Sequence, residues 1–342
     1  EVYFGITKCN PVGGAAATRT RAGSSEGEDF VLYNKVEDTD NVATVLSKLK
    51  SWISAAIIKL EELGYRKPEG CIINCYLKKT GRAFGCCSFN PLGKEYSTIY
   101  FYYNYMGGKD GDIYGTVIHE LFHFYQQFYD PRPACILTLG KIKTTDLILD
   151  EASSVWSEGL NFISGVTIPK TPYVAKENAW LFVPSINADH KDILAPSNGV
   201  AMYWSERYQN VGYGAASLIE YLTQKCGNKI LLEMWEDRKA GGIFGVSDTK
   251  GRIERFANKY GIDIFSQDGY HDFVEKLGIG EVFKDLSFPD LIYIREEHDT
   301  IGEQFRVIES IKPVYHTNYV YCYGALVEKL DVKVTGYKGD IK

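Results

Sequence analysis

What the chain lacks narrows its class before any motif is read. Its 342 residues contain no apolar run approaching the roughly 18 residues of a membrane-spanning helix, so no transmembrane segment is expected. Positive charge is not in excess: 38 Lys and Arg face 44 Asp and Glu, a net charge of −6. A nucleic-acid binder presents a basic face, and that class is set aside. No C-x-x-C pair occurs, which removes a cysteine-held zinc site. The eight cysteines (Cys9, Cys71, Cys75, Cys86, Cys87, Cys135, Cys226 and Cys322) are too scattered for a disulfide scaffold. They read as buried small hydrophobes or as one or two disulfides. Internal repeats and low-complexity stretches are absent, and the loose run Gly13–Ser25 reads as a surface loop. The chain opens on Glu1 rather than Met and has no signal-peptide pattern, so a processed or trimmed form is expected. What is present is globular: 45% apolar and 24% charged residues, enough for one large two-lobed domain or two domains.

Within that background, five residues stand out: His119-Glu120-Leu121-Phe122-His123. On a helix, residues i and i+4 share a face, so both imidazoles can reach one metal ion. The glutamate after the first histidine can then address a water on that ion, the H-E-x-x-H arrangement. The flanking Ile113, Val117, Ile118, Leu121, Phe122 and Phe124 are apolar on nearly every side, which describes a helix buried all round. Two histidines and a glutamate inside such a helix are costly unless paired or bound. The bland alternative is a pair of hydrogen-bonded core histidines.

Zinc in a hydrolase usually takes three side chains and a water. The metzincin pattern would place Gly and His at positions occupied by Gln126 and Tyr129, so the third ligand comes from elsewhere. The next candidate is the segment Leu147–Leu160, with Thr144, Thr145 or Asp146 as cap and Gly165 as stop. Glu151 and Glu158 stand one heptad apart and share a face of it. Leu147, Leu149, Ala152, Val155, Trp156 and Leu160 make it a largely buried helix. A core-facing carboxylate there is a good hard ligand, and a second one a heptad on can hold a ligating imidazole through its free N–H.

H-E-x-x-H followed by a helix of this type resembles the gluzincin zinc peptidases. It is similar in particular to secreted bacterial metalloproteases with H-E-x-x-H-x-x-Q, a buried E-x-x-x-x-W-x-E helix and a Y-G-A helix. Here those are His119–Gln126, Glu151–Glu158 and Tyr213-Gly214-Ala215. By order of elements the likeness covers roughly residues 40–240. It implies that His119, His123 and Glu151 hold Zn2+ and that Glu120 is the catalytic base. It also implies a tyrosine or histidine donor for the developing oxyanion, with Tyr213 first and Tyr203, Tyr208 and His190 as rivals. The step from His123 to Glu151 is longer than usual in that clan, which leaves Asp146, Asp150 and Glu158 as rival third ligands.

The implied fold is α+β and zincin-like. Residues 39–63 carry a 3.6-residue apolar stripe, capped by Thr39 or Asp40 and stopped by Gly64. Strand-like runs follow at Cys71–Leu77, Arg82–Phe89 and Thr98–Tyr105, with Arg82–Cys87 the candidate edge strand beside the cleft. Helical periods appear near 147–163, 214–226, 228–238, 251–260 and 270–277. Short strands are expected at Phe305–Ile311, Tyr319–Tyr323 and Val327–Val334. The expected layout is a catalytic domain over 1–300, its upper lobe 1–129 holding a helix, a small mixed sheet and the metal helix. A mostly helical lower lobe spans 130–300, and a β-rich segment spans 301–342.

The function this implies is zinc-dependent hydrolysis of a protein or peptide substrate. The aminopeptidase G-x-M-x-N strand is missing, which favours an endopeptidase. A secreted, cell-surface or periplasmic bacterial location goes with the resemblance. The 25 tyrosines suit a polymer-binding groove, so surface glycoconjugates are a second class of partner. The rival from another class is a zincin-fold adhesin or glycan-binding module without proteolysis, against which the intact His119, Glu120 and His123 speak.

Overall fold

In the computed structural model the described residues are 29–37, 40–81, 83–88, 97–106, 110–130, 147–166, 168, 171–176, 206–241, 249–285, 306–308 and 330–332. Hydrophobic alternation builds the first layer. In β1 (Phe30–Asn34), β2 (Ile73–Lys78) and β4 (Thr98–Tyr102), every second residue is buried, including Leu32, Cys75, Leu77, Ile99 and Phe101. With β3 (Gly85–Ser88) they form one four-stranded sheet in the order β1-β2-β4-β3. The first three strands run parallel, and β3 lies antiparallel to β4 at the edge. The edge position expected for residues 82–87 is therefore observed for Gly85–Ser88. Strand β1 is a fourth member that five residues in a polar neighbourhood do not announce.

Helix α1 (Asp40–Glu62) lays Val42, Leu46, Leu49, Trp52, Ile53, Ala56, Ile57 and Leu60 into the core, the stripe read from the sequence. Helix α2 (Asp110–Gln126) packs against α1 on one side and against β3 and β4 on the other. Val117, Ile118, Leu121, Phe122, Phe124 and Tyr125 are fully buried along it, so the expectation of a helix apolar all round holds.

Helix α3 (Leu147–Ser157) runs against α2 and, more extensively, against α4 (Glu206–Cys226). It ends before the expected 163, closing through turn hydrogen bonds from Glu158, Gly159 and Leu160. Helix α4 starts ahead of the expected 214. Gly212, inside the helix, serves close approach. A Cβ there would lie 2.7 Å from Glu151 Cβ and 3.2 Å from the Ile148 carbonyl, so only glycine lets α4 seat on α3.

Helices α5 (Lys229–Ala240), α6 (Thr249–Lys259) and α7 (Gln267–Gly278) complete the helical half, near the expected bounds. The α5 side chains clamp this half to the first. The Trp235 indole donates to Ser153 Oγ at 3.2 Å, and Arg238 donates to Asp130, just past α2, at 3.1 Å. Two strands, β5 (Arg306–Ile308) and β6 (Leu330–Val332), pair in parallel in the C-terminal segment. The expected strand at 319–323 and the loop at 13–25 lie outside the described residues. No helix of the described residues is long and apolar enough to cross a membrane. Cys71, Cys75, Cys86, Cys87 and Cys226 are in no disulfide, while Cys9, Cys135 and Cys322 lie outside the described residues.

The Arg238–Asp130 pair is buried, with side chains 1% and 7% exposed. Removing one partner leaves an uncompensated charge in the core. Arg238→Ala is expected to lower the unfolding free energy by about 3–5 kcal/mol, measured by urea denaturation.

Candidate metal centre

The third and fourth turns of α2 face α3, and there the polar side chains of two buried helices meet. His119 and His123 lie one above the other, with ring centroids 4.8 Å apart. Their Nε2 atoms are 3.1 Å apart. Glu151 Oε2, from α3, lies 3.6 Å from His119 Nε2 and 3.3 Å from His123 Nε2. This is a group that could hold a metal ion. Tetrahedral ligands at about 2.0–2.1 Å from a metal are separated by about 3.3–3.4 Å. The three observed separations bracket that edge.

The remaining ring nitrogens are tied back, which fixes the tautomers. His119 Nδ1 donates to Glu158 Oε1 at 2.7 Å. His123 Nδ1 is shared among Gln126 Oε1 at 2.8 Å, Ser154 Oγ at 3.2 Å and Asp150 Oδ1 at 3.3 Å. Gln126 is itself anchored, its amide donating to the Asp150 carbonyl at 2.9 Å and to Ser154 Oγ at 3.2 Å. With each Nδ1 tied back, each Nε2 is the nitrogen left to face Glu151 and its neighbour, where it would hold either a proton or an ion.

The described rival carboxylates take separate places. Glu151 joins the histidines. Glu158 holds His119 from behind, as the heptad spacing anticipates. Asp150 does the same for His123. Asp146, Tyr203 and His190 lie outside the described residues, as does the side chain of Tyr208.

Electrostatics favour positive charge at this point. Burial works against protonating the imidazoles, but the carboxylates outweigh it. Glu151 and Glu158 draw His119 up to about 9, and Asp150 and Glu151 hold His123 well above its ordinary value. Burial likewise works to raise Glu151, and the two histidines override it and hold it at about 2. The field that favours a proton on these nitrogens favours any cation placed among them.

Glu120 projects beside this group toward β3. Burial raises its pKa, and the nearby histidines only partly offset the rise; the Cys87 backbone N–H donates to it. Its seat depends on Gly85. A Cβ there would lie 2.7 Å from Glu120 Cγ and 2.8 Å from Thr116 Cγ2, so the strand can approach the helix this closely only with glycine. The site opens on a cleft of about 680 Å³ that reaches along β3 and includes His119, Glu120, His123, Glu151 and Tyr213. The Tyr213 ring, from α4, stands 6.3 Å from the His119 ring at 64°.

Sequence reasoning reached His119, Glu120, His123, Glu151, Glu158 and Tyr213, and the structure brings them to one cleft. It missed the roles of Gln126, Ser154, Gly85 and the Cys87 amide. Only Gln126 carried a signal, as part of the H-E-x-x-H-x-x-Q pattern.

Removing the support behind a metal-binding histidine typically weakens affinity 10–100-fold. If the group holds an added divalent ion, Glu158→Ala is therefore expected to weaken that binding about 10–100-fold, as read with Zn2+ by competition with a chromophoric chelator. His123→Ala should lose binding in the same assay. No protein-family model matches the chain, and no curated protein matches it, so the chemical reading rests on these residues themselves.

Proposed function

We propose that this chain is a zinc-dependent metalloendopeptidase of the gluzincin type, with a zincin-like catalytic domain, acting on a protein or peptide outside the bacterial cytoplasm. The observation that carries the reading is the convergence of His119, His123 and Glu151 beside the buried Glu120 in an open cleft. Two imidazoles and one carboxylate suit zinc better than calcium or magnesium, which prefer all-oxygen shells. In this reading His119, His123 and Glu151 hold the ion, while Glu158 and the Asp150–Gln126–Ser154 cluster keep both rings in register. Zinc held there supplies a Lewis acid that polarises a carbonyl and acidifies water.

The protein's own residues carry the rest. Glu120 accepts a proton from the attacking water and passes it to the departing amine nitrogen. Its raised pKa suits a group that must take up a proton and give it away again. The Tyr213 phenol donates a hydrogen bond to the oxygen that gains charge. Strand β3 has its outer edge unpaired within the sheet order, and an extended peptide can add to it by main-chain hydrogen bonds. Gly85 and Cys87 of the same strand hold Glu120, so base and substrate would be positioned by one element.

Glu120→Gln is expected to cut kcat/KM for peptide cleavage by at least about 100-fold, while metal analysis still finds one zinc per chain. Turnover at the wild-type rate would reject Glu120 as the base. Tyr213→Phe is expected to lower kcat about 100-fold with KM little changed. An unchanged kcat would remove Tyr213 from the oxyanion role.

A further inference from the structure

The cleft is strongly asymmetric in charge. Its metal end carries Glu120, Asp150, Glu151 and Glu158, with Asp130 further back and already paired to Arg238. Among the described lining residues the single Lys or Arg is Lys78. It belongs to β2, at the end of the sheet where β2 and β4 finish and β3 begins. There the cleft turns out over the solvent face of the sheet. Lys78 is opposite Tyr102 in the strand register, and the Tyr102 amide donates to the Phe84 carbonyl at 3.1 Å. Phe84 packs on Tyr105 with ring centroids 5.0 Å apart, and both Phe84 and Tyr102 line the cleft. The mouth is thus lined by the Phe84 and Tyr102 rings together with Lys78.

The Lys78 ammonium is held in place without being neutralised. Lys78 Nζ sits 3.7 Å from the centroid of the Tyr100 ring, and no carboxylate among the described residues pairs with it. A cation–π contact orients a lysine while leaving its charge available to a second partner. The described residues of the solvent face around it add no opposing charge. Val31, Tyr33, Lys35, Asn74, Tyr76, Thr98, Tyr100, Cys86 and Ser88 include no acid. The neighbouring Lys35 lies 5.9 Å from the Tyr76 ring, which adds a second positive charge to that face.

We infer that this mouth is a specificity subsite for a carboxylate-bearing residue of the substrate. The inference rests on the peptidase reading above and names the substrate class that reading leaves open. Gly85 abuts Glu120, and Phe84 is its neighbour along the strand. The subsite therefore lies to one side of the reacting bond, in the direction in which the strand runs from Gly85 to Phe84. A Glu side chain there lays its methylenes on the Phe84 and Tyr102 rings and its carboxylate against Lys78. A basic side chain is repelled. An acidic residue at the metal end meets four carboxylates instead. The preferred substrate therefore has an acidic residue displaced from the cleavage point and none beside it.

The test uses binding, so that it does not depend on turnover. Fluorescein-labelled, end-blocked decapeptides that differ only in carrying Glu, Gln or Lys at successive positions are titrated against Glu120→Gln protein by fluorescence anisotropy. At one position Glu is expected to bind about tenfold tighter than Gln, and Lys weaker than Gln. Adding Lys78→Gln should erase that order, and adding Lys78→Glu should invert it, with circular dichroism showing each variant folded. Equal binding of the three peptides at every position overturns the inference. So does a Glu preference that survives in Lys78→Gln, or a lack of binding to any peptide. Wild-type protein that cuts none of these peptides, alongside a Lys78-dependent Glu preference in binding, rejects proteolysis and leaves the subsite standing.

Discussion

Two imidazoles and a carboxylate are forced together between helices that are otherwise apolar, and most of the structure serves to make that arrangement tolerable. Buried charge without compensation is among the largest costs a fold can carry. Here both imidazoles are compensated from behind: His119 by Glu158, and His123 by Asp150, Gln126 and Ser154. Those supports come from the end of α2 and from the whole length of α3, so the two helices cannot slide past one another without breaking the network. The side facing the cleft is the one left to a cation.

The remaining elements follow from that requirement. The sheet presents β3 to α2 so closely that Gly85 has no room for a side chain. Helix α4 presses on α3 at Gly212 for the same reason, and this brings Tyr213 round to the cleft. Both glycines lack the positive φ that usually explains the residue. They mark places where backbone must pass close to Glu120 or Glu151, the buried carboxylates of the candidate site. Substitution at either would move Glu120 or Glu151 before it disturbed the fold at large.

The helices were readable because their burial is periodic. The stripe on α1 and the unbroken apolar surround of α2 are statements about sequence spacing that packing confirms. The ligand set was readable because H-E-x-x-H places two residues by helix geometry alone, and because Glu151 and Glu158 lie one heptad apart on a second buried helix. What could not be read depends on contacts between distant segments. Strand β1 is defined by its partner β2 rather than by its own pattern. The start of α4 is hidden by glycines whose meaning lies in α3. The choice among Glu151, Asp150 and Glu158 turns on which oxygen faces inward, which adjacent and heptad spacings do not determine. Lys78 has no motif at all; its place in the cleft comes from the sheet order.

The clamp from α5 bears on how the group is held. Trp235 fastens α3 through Ser153, and Arg238 fastens the end of α2 through Asp130, and neither bond uses the atoms that converge in the cleft. Helices α2 and α3 are thus kept in register by a brace that lies apart from His119, His123 and Glu151. The work of bringing two imidazoles up to a buried carboxylate falls on packing and on this brace, and a cation placed there would add its binding energy to that geometry.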